Sequence, residues 1–402
     1  MKTNKADKAG LYVHIPFCLR KCLYCDFFSK SGSDENLQKE YVQALIREME
    51  FYGSRQENRI KADTVFLGGG TPSIMKPALT AAVIEALRKN FDIDTEAEIT
   101  IECNPATLTK EKLEEYRKDG INRLSIGAQS FDDDVLKRLG RVHSSQDIIQ
   151  TVRMARKAGF GNINIDLMFA VPGLDMNKWK ASMNKTLELE PEHLSFYSLE
   201  IAEGTPFGEM LRQGILEETP VETDRSMYHW AMETIDRAGY DHYEISNAAA
   251  EGRKCRHNMK YWTFGEYMGF GASAHSFMGG VRYSNICDIG RYISSMSNQD
   301  MSWGESFSRQ EHAAADCTEM YHVNSFEDSA SEYVFTALRT KEGVILEDFR
   351  ERFRSRFWDV YGRQRGELES FVRSGHVISD SRHIALTGMG IDISNRIMAI
   401  FV

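Results

Sequence analysis

The chain has 402 residues, 42% of them hydrophobic and 27% charged, which is more than one ordinary domain and enough to bury a real core. Its net charge of -10 excludes a general nucleic-acid binder, which would carry a basic face, while leaving room for a local basic pocket. No apolar run approaches the ~20 residues needed to cross a bilayer, and the polar start MKTNKADKAG lacks the apolar stretch of a signal peptide. A cytoplasmic protein is expected, with at most peripheral membrane association and residues 1–10 as a loose tail.

Six strand-like runs, each followed by a helix-like stretch, come next. They are Leu11–Ile15, Thr64–Leu67, Glu98–Glu102, Arg123–Gly127, Asn162–Leu167 and His193–Leu199, rich in β-branched and aromatic residues. Between the first two, Leu37, Tyr41, Leu45, Met49 and Tyr52 recur at steps of three and four and mark one face of a helix. Thr109 and Gly120 bracket another helix as cap and stop. Lys118-Asp119-Gly120, Lys157-Ala158-Gly159 and Arg237-Ala238-Gly239 each close a helical stretch. Alternating β and α elements predict a parallel sheet with right-handed crossovers. Six units predict a partial (βα)6 barrel with function at the C-terminal ends of its strands; a doubly wound open sheet is the rival. The boundary is drawn between residues 11–300, the α/β unit, and residues 301–402. In the second part Gln310–Arg339 and Glu347–Arg373 look helical, His376–Ile378 and His383–Leu386 look like short strands, and a last helix spans Gly388–Phe401. A small helical or winged-helix-like domain is expected there.

Seven cysteines are present, and three of them, Cys18, Cys22 and Cys25, fall within eight residues directly after the first strand. Such a tight thiol cluster points to a metal centre rather than to a disulfide framework. Soft thiolates select zinc, copper(I) or iron–sulfur clusters. Zinc would need a fourth ligand, for which His14 is the nearby candidate. A cubane cluster held by three cysteines keeps one iron open to a small molecule that offers an amine and a carboxylate. Further candidates stand at successive strand ends: the turn Gly68-Gly69-Gly70-Thr71-Pro72, then Glu102, Gln129 and Asp166. Glycines allow close approach to the backbone, and carboxylates accept hydrogen bonds from hydroxyls or an amine.

The string Tyr12-Val13-His14-Ile15-Pro16-Phe17-Cys18 and the spacing C-x3-C-x-Tyr-C, which includes Tyr24, resemble those of radical S-adenosylmethionine (SAM) enzymes. Within them they resemble the branch that holds HemN-like oxygen-independent coproporphyrinogen III oxidases and HemW-like haem chaperones. The resemblance spans nearly the whole chain. It implies a [4Fe–4S] cluster on Cys18, Cys22 and Cys25, with SAM bound at the open iron and cleaved by one-electron reduction. It also implies SAM contacts from Tyr12, Gly69, Gly70, Thr71, Glu102, Gln129, Arg141 and Asp166. HemN-like oxidases continue the cysteine motif to a fourth cysteine, whereas this chain reads Cys25-Asp26-Phe27, as HemW-like proteins do.

Downstream, Cys255-Arg256-His257-Asn258-Met259-Lys260-Tyr261-Trp262 matches the H-N-x-x-Y-W signature of that family. An imidazole is a good haem ligand, aromatic rings stack on a porphyrin, and Arg256 or Lys260 could pair with a propionate. The match implies haem contact by His257, Asn258, Tyr261 and Trp262; the residues alone equally describe a buried aromatic cluster. The later loop Gly269–Phe277 carries His275, a second haem or SAM-side candidate or a structural loop residue. The resemblance thus predicts haem binding and transfer to apo-haemoproteins such as respiratory cytochromes, with a flavodoxin or ferredoxin as electron donor. Porphyrinogen oxidation is the alternative.

Overall fold

The computed structural model describes residues 8–54, 59–297 and 317–402. Six parallel strands form the centre: β1 (Ala9–Ile15), β2 (Lys61–Gly69), β3 (Asp92–Cys103), β4 (Arg123–Gln129), β5 (Ile163–Phe169) and β6 (His193–Ser198). They pair in sequence order, each parallel to the next. A doubly wound sheet would reverse its order part-way; this one does not, so the fold is the partial TIM-like barrel. The sheet continues antiparallel beyond β6 through Asn247–Ala249 and Asp241–Glu244. Beyond β1 it continues through Tyr267–Phe270, parallel, then His275–Met278, Val281–Asn285 and Thr318–Val323.

Side chains alternate across each strand, and the two faces differ in kind. Leu11, Val13 and Ile15, Val65 and Leu67, Ile99 and Ile101, Leu124 and Ile126, and Ile163 and Ile165 share one hydrophobic core. The helices Glu35–Ser54, Pro77–Asn90, Lys110–Lys118, Ser145–Lys157 and Met176–Glu188 connect successive strands. Tyr41, Leu45, Met49 and Tyr52 of the first are buried in that same core. Thr109 caps its helix by accepting the Lys112 amide, and Gly120 follows at φ +87°, a left-handed stop. On the other face of the strands stand Glu102, Arg123, Ser125, Asn164, Asp166 and Ser195, which line a cavity. The barrel interior is therefore a polar chamber rather than a packed core.

Some boundaries differ from expectation. Ala9 and Gly10 belong to β1, because their backbones pair with β2 and Tyr267, so the strand takes in the end of the expected tail. The break at residue 300 cuts the first sheet, since Thr318–Val323 pairs with Val281–Asn285. The expected helix over Gln310–Arg339 begins outside the described residues, continues as that strand and is helical only over Phe326–Ala337. The C-terminal unit has a small antiparallel sheet of Val344–Ile345, His383–Leu386 and Val377–Ser379, flanked by Leu346–Phe353 and Arg365–Arg373. Its core of Tyr333, Phe349, Phe353, Phe357 and Ile384 takes in Phe264 and Phe277 from the barrel extension. The expected last helix is broken into Gly388–Ile391 and Ser394–Met398. Gly390 is packed so closely on the His376 carbonyl that a Cβ there would lie 2.0 Å from its oxygen.

Candidate functional site

The cysteine loop leaves β1 and returns at once. Phe17–Cys18 pairs in parallel with Lys30–Ser31, and the Lys30 amide donates to the Pro16 carbonyl at 2.7 Å, pinching the excursion at its base. Its middle is fixed on both sides: Leu23 N–H donates to Leu139 O at 3.1 Å, and Phe207 N–H donates to Leu23 O at 2.9 Å. Cys18 is buried, and Cys22 and Cys25 are half-buried, all three as free thiols. Thr71 Oγ1 donates to Cys18 Sγ and Arg141 Nη1 to Cys22 Sγ, each at 3.5 Å. Burial pushes the Cys18 and Cys25 thiols up; the Thr71 hydroxyl pulls Cys18 back down. Metal binding must release those protons.

The glycine turn lies against this loop. Gly70 N–H donates to Ile15 O at 2.9 Å and Thr71 N–H to Phe17 O at 2.8 Å, so the turn is stitched to the strand that delivers Cys18. Gly69 has φ +109°, and a Cβ there would stand 2.5 Å from the His14 ring. Only glycine combines that conformation with that contact. The Gly69 amide donates to Glu102 Oε2 at 3.0 Å.

A cavity of ≈ 600 Å³ opens between the loop and the strand ends. Cys18, Cys22, Cys25 and Tyr24 border it on one side; Gly69, Gly70, Thr71, Glu102, Gln129, Arg141 and Asp166 complete it. Gln129 sits at φ +66° and accepts Tyr197 O–H at 2.7 Å. Arg141 Nη2 donates to Gly127 O at 2.5 Å, while its buried Nε has no protein partner. Asp166 Oδ1 accepts Asn164 Nδ2 at 2.6 Å, and Asn164 also reaches Ser125 and Ser195. Burial and then the Asp166 charge push Glu102 up to about 7; burial also raises Asp166. The Arg123 guanidinium, in the same chamber, opposes the rise of both carboxyls.

Not every expected contact gathers there. Tyr12 faces an adjoining groove, with its hydroxyl 3.0 Å from His14 Nδ1. The other His14 nitrogen is 2.9 Å from Phe28 O, so both ring nitrogens are engaged away from the thiols, which counts against a zinc site completed by His14. Asn258 reaches the chamber, but His257, Tyr261 and Trp262 do not. The helix Arg256–Trp262 lies toward the N-terminal ends of β1 and β2, where Lys260 pairs with Asp63 at 2.7 Å. His257 is buried, with Nδ1 2.9 Å from Thr64 Oγ1 and Nε2 2.9 Å from Tyr261 O–H. Burial pushes it down to about 3, so it is neutral. Trp262 is covered by the Arg339 guanidinium at 4.5 Å. Arg123, Ser125, Asn164, Ser195 and Tyr197 also line the chamber and were missed. Their signal was a polar residue at every second position of an otherwise apolar strand.

Residues 12–185 match the radical SAM superfamily, and residues 325–393 match the HemN C-terminal domain. The heme chaperone HemW of Lactococcus lactis subsp. lactis (strain IL1403) is 31% identical, over 97% of this chain and 96% of its own length. That of Bacillus subtilis (strain 168) is 32% identical, over 97% and 98%. The chain belongs to the HemW family of radical SAM proteins. Among solved structures, the radical SAM coproporphyrinogen III oxidase (HemN) from Escherichia coli matches with a TM-score of 0.84, covering 98% of this chain and 90% of its own, at 20% identity. That likeness shows the shared fold. The radical SAM domain of the HemW family implies a [4Fe–4S] cluster and SAM, and the residues present suit both: three soft thiols border the chamber, and the buried Arg141 Nε there has no protein partner.

Proposed function

We propose that this chain is a haem chaperone that binds haem and passes it to apo-haemoproteins. The carrying observation is the match to two HemW proteins over 97% of the chain, barrel and C-terminal unit together. Cys18, Cys22 and Cys25 would hold the cluster. Glu102 and the Gly69–Thr71 turn would take the amine of SAM, with Gln129, Arg141 and Asp166 around the remainder. When bound, the cluster and SAM supply one-electron chemistry. The chain's own part is to fix the thiols, exclude water from the chamber and tune the two carboxyl groups. Respiratory cytochromes are the expected acceptors, a flavodoxin or ferredoxin the expected electron donor, and the cytoplasm the expected compartment. Among the described residues no helix is long and apolar enough to cross a membrane.

The test is anaerobic reconstitution followed by haem titration and by incubation with an apo-cytochrome. Saturable binding and transfer are expected; no saturable binding would refute the reading. Porphyrinogen oxidation is the competing outcome, and protoporphyrinogen formed from coproporphyrinogen in the same sample would establish it instead.

The Glu102 carboxyl supplies a second test, for SAM. Its folded value of about 7 lies above its ordinary 4.5, so the folded chain holds the extra proton between them. Stability therefore falls as pH rises through that window, by on the order of 3 kcal/mol. An amine held on the open iron keeps N–H groups that can donate to the ionised Glu102, which would offset part of that loss. The melting-temperature gain on adding SAM should accordingly grow between about pH 6 and about pH 8. A gain independent of pH would take Glu102 out of the amine site.

A further inference from the structure

We infer that the iron of the carried haem is ligated by His275, in an aromatic groove beside the cysteine loop, and not by His257 of the family signature. This rests on the chaperone reading and names the site within it. His257 is ill placed for the role. Its two ring nitrogens are held by Thr64 and Tyr261, each at 2.9 Å, and it is buried. The Glu98 carboxylate accepts the backbone amides of Arg256 and His257, both at 3.2 Å, which fixes the turn before it. Freeing an imidazole nitrogen there would leave buried polar groups unpaired, at about 1–3 kcal/mol each. His257 is a positioning residue: its ring stacks on Phe66 at 5.3 Å and braces Tyr261.

His275 has the opposite properties. It opens the strand His275–Met278 with its side chain exposed, and among the described residues its ring makes no hydrogen bond. Its backbone is nonetheless fixed. The preceding turn is closed by Ala274 N–H to Gly271 O at 3.1 Å, and Asn285 N–H donates to Ala274 O at 2.9 Å. Ser273, at φ +63°, takes a conformation few side chains adopt, the kind of strain that surrounding structure must hold in place. The imidazole looks onto a groove of ≈ 310 Å³ whose walls include Tyr12, Phe27, Phe28, Tyr261 and Tyr267. Such rings give a flat, polarizable face for a planar macrocycle, and the groove's size seats one side of it with the rest in solvent. The Lys21 ammonium, 3.3 Å from Phe27 O, stands near the same wall for a propionate. One open ligand on a shallow groove suits a carrier, which must also let go.

The test is a haem titration of the cluster-loaded protein, read by the Soret band and by iron content. Wild type should bind saturably with an imidazole-type spectrum. His275→Ala should weaken binding at least tenfold and shift the band, with added imidazole restoring it and cluster iron unchanged. His275→Met should keep the stoichiometry but give a thioether-type band. His257→Gln removes the brace on Tyr261 but no iron ligand, so it should weaken binding severalfold and keep the wild-type band; a lost or shifted band there would return the ligand to His257. If His275→Ala and His275→Met both give the wild-type band, the inference falls while the chaperone reading stands. If wild type binds no haem, both fall.

Discussion

Cys22→Ser yields a folded chain that takes up no cluster. Iron and sulfide after anaerobic reconstitution should drop by roughly tenfold or more, because a cubane held by three thiolates cannot spare one. The fold should hardly notice. Cys22 is half-buried, and its sulfur meets the Arg141 guanidinium at 3.5 Å and the Tyr24 side chain, contacts a serine hydroxyl can also make, so the stability change should stay within about 1 kcal/mol. The loop keeps its shape through backbone bonds at Leu23, Lys30 and Thr71 that do not involve the sulfur. Cys103 is the control that gives the experiment its force. It too borders the chamber, but it is fully buried on β3, its Sγ faces Ile101 O at 3.6 Å, and burial pushes its thiol far up. Cys103→Ala should load iron as wild type does. Iron retained by Cys22→Ser and lost by Cys103→Ala would reassign the ligands.

Glu48→Ala should cost the largest single amount of stability, about 3–5 kcal/mol. Glu48 is fully buried in the helix Glu35–Ser54 and accepts three well-made hydrogen bonds. These come from Gly271 N–H at 2.8 Å, Asn285 Nδ2 at 2.7 Å and the Tyr292 hydroxyl at 2.5 Å. Truncation would strand the Gly271 amide and the Tyr292 hydroxyl, and leave Asn285 Nδ2 only its bond to Gly271 O at 2.9 Å. Burial is also the main reason its carboxyl is raised, and the donors oppose that rise. Glu48→Gln preserves the shape and one carbonyl oxygen, so it should lose much less. Chemical denaturation of the pair measures the difference; equal, small losses would show that the network is dispensable. The same variant reaches function, because Gly271 opens the turn that presents His275. Glu48→Ala should therefore loosen haem binding even where the chain remains folded, while leaving cluster iron unchanged.

The six βα units, their order and the thiol loop were legible because they rest on local signals. Alternation in Arg123–Gly127, the Thr109 cap and the closing glycines act within a few residues of themselves. What stayed hidden depends on distant partners. Thr318–Val323 is exposed along most of its length and carries no burial pattern; only pairing with Val281–Asn285 makes it a strand. The role of His257 turns on Thr64, 193 residues away, and no spacing rule connects them. The resemblance drew attention to the helix Arg256–Trp262 but could not say that it braces the barrel from within. His275 stood equally as a second haem or SAM-side contact and as a structural loop residue, because no local signal sets it against Tyr267 and Phe28.

Phe27 borders both the polar chamber and the aromatic groove, with 66% of its surface exposed. One exposed ring thus forms a common wall between the two. Any free-energy coupling it transmits must be reciprocal: a nucleoside ligand that tightens the groove for a macrocycle by some factor is itself tightened by that macrocycle by the same factor. Loading one compartment is then a vote on the occupancy of the other.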